Sequence, residues 1–126
     1  MTPMLFVGVA LAGGLGAGLR FAVDAWIKAR HTSTLPLGTM AINISGSFLI
    51  GAVAALALGG VISEELRLAL GVGLLGGYTT FSTASIEAVR LIEQREHRAS
   101  AIAALGTLVL GTLSAAIGWW LTQSLT

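Results

Sequence analysis

Gly76-Gly77-Tyr78-Thr79-Thr80-Phe81-Ser82-Thr83 interrupts an apolar stretch that carries no charge between Arg67 and Glu87. Each glycine costs about 1 kcal/mol relative to alanine inside a helix, and hydroxyls follow in quick succession. A continuous membrane helix is not built this way. Unwound backbone at membrane depth persists only where protein buries it or where it lines a polar cavity. The segment is therefore expected to present carbonyls and hydroxyls to something polar inside the bilayer, with an ion pathway as the leading reading.

The rest of the chain places that segment in a membrane. Hydrophobic residues make up 55% of the 126 residues and charged residues 10%, against about a quarter charged in soluble domains. Mean hydropathy is +0.87. There is no cysteine, which removes disulfides and thiolate metal sites. A net charge of +1 gives no basis for a nucleic-acid partner. The amino terminus lacks a basic region and its apolar run continues past Leu15, so it reads as a retained span rather than a cleaved signal. So small a chain is expected to enclose a membrane pathway only as an oligomer.

Four stretches are long enough to cross. They run from about Met4 to Trp26, Leu37 to Leu58, Arg67 to Ile92 and Ala99 to Leu121. Pro36 suits a helix start, Gly59-Gly60 a helix stop, and Ser63-Glu64-Glu65 a cap for the third span. Short loops make consecutive helices antiparallel neighbours within a single domain, residues 1–126. Gly14 with Gly18, Gly73 with Gly77, and Ser114 with Gly118 have the spacing of close helix contacts. Lys28, Arg30, Arg90, Arg95 and Arg98 fall at one end of the bundle and Arg67 at the other. The positive-inside rule then puts both termini outside the cytoplasm.

Several polar residues within the spans bear on chemistry. Arg20 reads either as an electropositive vestibule or as a snorkelling side chain. Thr39, Asn43 and Ser47 form one stripe on the second helix. Asn43 reads as an amide donor to an anion or as a clasp between helices; the hydroxyl-rich break nearby favours the pathway. Thr79, Ser82, Thr83 and Ser85 offer hydroxyls that can donate to an anion losing its water. Phe81 can present the electropositive edge of its ring. Glu87 reads as a buried hydrogen-bond partner, and Thr107, Thr112 and Ser114 as ordinary contacts of the fourth helix. His31 and His97 lie in charged loops, and no nucleophile–base set or phosphate-binding loop is present. No enzyme is indicated.

These residues resemble the CrcB, or Fluc, fluoride channels over nearly the whole chain. The likeness lies in Gly13-Gly14-Leu15-Gly16-Ala17-Gly18-Leu19-Arg20, in Pro36-Leu37-Gly38-Thr39 leading to Asn43, in Gly46 and Gly51, and above all in residues 76–83 followed by Ser85 and Glu87. The resemblance implies an all-α subunit of four transmembrane helices with a broken third helix, in the bacterial inner membrane. Two copies would form an antiparallel, dual-topology homodimer that exports fluoride passively. It implies a structural, untransported sodium ion at the dimer centre, held by the backbone carbonyls of Gly76 and Thr79. Asn43 would be the pore amide, Phe81 a pore aromatic, and Thr39, Ser82, Thr83 and Thr112 polar groups of the pathway, with Arg20 at the vestibule.

The chain departs from that pattern at Ala84, where a second aromatic is expected, and at Leu108, where a polar or aromatic side chain is common. One subunit of a heterodimeric channel is therefore a second reading. A small proton-coupled drug exporter is a third, and it needs a carboxylate deep in the membrane. Residues 1–19 contain none and Glu87 lies near a span end.

Overall fold

A computed structural model describes all 126 residues, and every regular element in it is helical. Helix α1 spans Pro3–Arg30 and α2 Leu37–Leu58; the third crossing is segmented, and α6 spans His97–Leu125. α1, α2 and α6 are each long and apolar enough to cross a membrane. Only 17 residues are buried, as suits a bundle whose outer face meets lipid and not water. The protein is a multi-pass membrane protein, with both termini at one end of the bundle.

α1 starts at Thr2, whose hydroxyl accepts from the Leu5 amide at 3.1 Å, with Pro3 in the first turn. It runs one turn beyond the expected end at Trp26. Asp24 and Lys28 pair at 2.7 Å, and the Arg30 guanidinium lies 4.4 Å from the Trp26 ring centre. These contacts, with Lys28 and Arg30 at the carbonyl end of the helix, favour continuing it. α2 has the expected limits.

The third crossing begins at Ser63, whose hydroxyl accepts from the Leu66 amide at 3.2 Å. α3 (Glu64–Arg67) passes directly into π-helical Leu68–Leu75 and then α4 (Gly76–Tyr78). The chain unwinds at Thr79 and Thr80, both extended, and resumes as α5 (Phe81–Glu93). The break therefore lies two residues after the glycine pair. Gly76 and Gly77 remain helical, and Gly77 serves a different purpose. A Cβ there would collide with the Gly13 carbonyl oxygen of α1, and one at Gly73 would press on Val9. Gly14 and Gly18, which carry the same spacing signature, face open space.

α2 and α6 form the other close pair. The Ser114 hydroxyl donates to the Ile44 carbonyl at 2.9 Å, and a Cβ on Gly118 would meet the Phe48 carbonyl. One buried cluster joins Ile42 of α2 with Leu75 and Tyr78 of the third crossing; another joins Leu91 of α5 with Ala99 and Ala103 of α6. Together these contacts hold the broken crossing between α1 and the α2–α6 pair.

Candidate ion pathway around the broken third crossing

The break is held from α2. The Asn43 side-chain amide faces the backbone of Thr80: its Nδ2 donates to the Thr80 carbonyl at 2.8 Å, and its Oδ1 accepts from the Thr80 amide at 2.8 Å. One side chain thus satisfies both backbone polar groups of a buried, extended residue, where leaving either unpaired is costly. Thr80 is buried and caps α5, its hydroxyl accepting from the Thr83 amide at 3.1 Å and donating to the Thr83 hydroxyl at 2.9 Å. Thr79 donates from both its amide and its hydroxyl to the Leu75 carbonyl, each at 2.9 Å. A Cβ at Gly46 would strike the Thr79 methyl, so α2 makes room for the break there. Tyr78 and Ser45 hydroxyls lie 3.0 Å apart, and because Ser45 donates to Ile42, Tyr78 is the donor between them.

Two grooves flank the start of α5. The larger, 460 Å³, opens beside the break. Thr39, Asn43 and Ser47 line it from α2, Phe81, Ala84 and Ser85 from α5, and Thr107 and Leu108 from α6. Phe81 is 88% exposed. The smaller groove, 280 Å³, lies toward α1 and is lined by Arg20, Asp24 and Thr83. Thr39 and Thr80 form part of both. Thr39 is buried and donates its hydroxyl to Glu87 in a short hydrogen bond. Asp24 places one carboxylate oxygen against Lys28 and the other beside Gly38 at the start of α2.

The local fields differ across the break. α4 ends in carbonyls, which favour a cation, and α5 begins with amides, which favour an anion. Phe81 sits at that amide end, and Asn43 keeps one N–H of its Nδ2 free while the other holds Thr80. The wall can therefore donate hydrogen bonds to an anion stripped of water, on a path bordered by apolar side chains.

Residues 7–119 match the family described as CrcB-like protein, Camphor Resistance (CrcB). The chain belongs to the CrcB family. It is 50% identical over 121 residues to fluoride-specific ion channel FluC 1 of Leifsonia xyli subsp. xyli, covering 96% of this chain and 88% of that protein. It is 43% identical over 116 residues to FluC 2 of Cutibacterium acnes, covering 91% and 94%. It is 43% identical over 117 residues to the FluC channel of Thermus thermophilus, covering 93% and 92%.

This CrcB-family chain does not gather every expected site residue into one groove. Thr39, Asn43, Phe81 and Thr79 meet in the larger groove; Arg20 and Thr83 line the smaller one, across α5. Ser82 is exposed with its hydroxyl 3.4 Å from that of Thr80. Thr112 is exposed and donates to its own helix, at the Leu108 carbonyl, 2.7 Å away. The α6 hydroxyl on the larger groove is that of Thr107, five positions earlier and so turned well round the helix. Gly76 is exposed and Thr79 half-buried, which sets both at the surface of the chain. Thr80 is the residue that sequence reasoning undervalued. Its place directly before Phe81, as a threonine that can cap a new helix, was the available signal.

Proposed function

We propose that this chain is the subunit of a fluoride channel that lowers cytoplasmic fluoride by passive efflux. The observation that carries this is the unwound pair Thr79–Thr80, which opens the amide end of α5 beside Asn43 and Phe81 in a groove at membrane depth. The names of the relatives supply the ion. The apolar face and the groove are open in one protomer, so the working unit is a dimer with a second copy, antiparallel and of dual topology. Nothing in this arrangement requires a reaction, and the family is one of ion channels, not enzymes.

A structural sodium ion at the dimer centre belongs to this reading. The Thr79 carbonyl accepts no hydrogen bond, and the Thr80 amide that would close a helical bond onto the Gly76 carbonyl goes to Asn43 instead. Under-satisfied backbone oxygens at the negative end of a half-helix suit a hard cation. One protomer offers Gly76 and Thr79 at its surface, and a second copy would complete the set. When bound, the ion would neutralise carbonyl dipoles at the junction of the two subunits.

A heterodimer is the second reading, favoured by Ala84 on the groove wall and by the basic residues gathered at one end of the bundle. The exporter reading is disfavoured, because the carboxylates Asp24 and Glu87 are engaged by Lys28 and Thr39.

The test is fluoride efflux from liposomes holding the purified chain alone, with no proton gradient. Efflux is expected, with chloride retained, and Phe81→Ala should slow it by about tenfold or more if the exposed ring lines the path. A silent parent that conducts only after a second family member is added would establish the heterodimer. A parent silent under both conditions would end the channel reading.

A further inference from the structure

We infer that Asn43 is a positioning residue for the cation site, acting through the peptide that joins Thr79 to Thr80. This rests on the reading that the Gly76 and Thr79 carbonyls hold sodium. Within a planar trans peptide, the carbonyl of one residue and the N–H of the next share a plane and point opposite ways. The Asn43 Oδ1 accepts the Thr80 N–H at 2.8 Å. That bond therefore aims the Thr79 carbonyl away from Asn43 and α2, while Gly76, three residues earlier, is exposed. The companion bond from Asn43 Nδ2 to the Thr80 carbonyl, also 2.8 Å, holds the following peptide plane. Two bonds from one rigid amide fix both planes of a residue that lies outside any helix.

The same pair of bonds has a second effect. By taking the Thr80 N–H, Asn43 withholds it from the Gly76 carbonyl, its acceptor in a continuous helix. Asn43 thereby leaves one proposed ligand free and points the other. Its own position is supported by Ser47, whose hydroxyl donates to the Asn43 carbonyl at 2.7 Å. The side chain that borders the proposed anion path also sets the cation site, so the two sites share a residue and occupancy of one bears on the geometry of the other.

The experiment measures sodium binding apart from conduction. Purified protein in detergent is heated in sodium chloride against N-methylglucamine chloride, and the sodium concentration giving half of the maximal thermal protection is recorded. Asn43→Leu keeps the volume and removes both hydrogen bonds. It should raise the half-point by about tenfold or more, the usual effect of losing a residue that orients a metal ligand. Ser114→Ala removes a different clasp between helices, to Ile44, and should leave the half-point at the parent value. A parent half-point in Asn43→Leu overturns the inference while leaving the cation site standing. A parent that sodium does not protect overturns the cation reading and this inference with it. Should Asn43→Leu fail to fold, amide exchange on the parent decides. Sodium should slow exchange at Thr80 beyond any slowing in α6, and a Thr80 amide indifferent to sodium overturns the inference.

Discussion

Gly77 and Gly14 show how much one missing methyl group decides. Both belong to glycine spacings suited to close helix contact, yet only Gly77 has another backbone against it, the Gly13 carbonyl of α1. Gly77→Ala should destabilise the protein by roughly 1–3 kcal/mol, because backbone cannot yield as a side chain does. Gly14→Ala should leave the protomer fold unchanged or slightly stabilised, through the better helix propensity of alanine. Thermal unfolding in detergent, with the oligomeric state checked by gel filtration, measures both; equal losses would mean that Gly14 is packed in a contact between copies of the chain. Gly76 illustrates the same point, since a side chain there meets nothing closer than the Gly71 carbonyl at 3.7 Å. A clash at the break is therefore expected from substituting Gly77 and not from substituting Gly76. Asn43 was legible as either anion donor or helix clasp. The structure shows the clasp and leaves one N–H for the other role.

The helix ends show what local sequence announces and what it hides. α2 and α5 finish in the same capping motif. After α2, the Val61 amide donates to the Leu56 carbonyl and that of Gly60 to Ala57; after α5, the Glu96 amide donates to Leu91 and that of Arg95 to Ile92. The motif needs a left-handed residue. Gly60 takes it with φ 71°, whereas Arg95 takes it with φ 61°. Glycine adopts that conformation freely, while a residue with a Cβ is strained there by roughly 1 kcal/mol or more. Gly60→Ala should therefore lower stability by roughly that amount and Arg95→Gly should raise it, read as shifts of the unfolding midpoint. Unchanged midpoints in both would show that membrane or dimer contacts override the turns. The Gly59-Gly60 stop was visible in the sequence, but nothing marked Arg95. The π-helical Leu68–Leu75 was equally hidden, because hydrophobic residues on every side leave no periodicity from which to read the winding.

At the scale of the whole molecule, topology is the open variable. Lys28, Arg30, Arg90, Arg95 and Arg98 gather at the end opposite the termini, and Lys28 is already paired with Asp24. A bias resting on so few basic residues permits insertion in both directions, as the proposed antiparallel homodimer requires. A reporter fused at the carboxyl terminus should therefore give comparable signal on both sides of the membrane. Signal from outside alone, together with a chain that does not conduct by itself, would support a partner subunit of opposite orientation.

The all-helical character, the approximate limits of the long apolar helices and the existence of a break were legible in the sequence, because a bilayer admits few solutions. α1 and α6 still extend past their expected limits, and His97, expected in a loop, opens α6. Apolar length sets the number of crossings, and glycine beside clustered hydroxyls disfavours a regular helix at depth. The position of the break at Thr79–Thr80 was decided by tertiary structure, since it depends on the Asn43 amide reaching across from α2 to replace helical hydrogen bonds. The division of polar residues between two grooves came the same way. Arg20 and Thr83 part from Asn43 and Phe81 because α5 stands between them, and Thr107 faces the groove that Thr112 does not. Composition records that a side chain can donate a hydrogen bond; only the packing of one helix against another determines where that bond is directed.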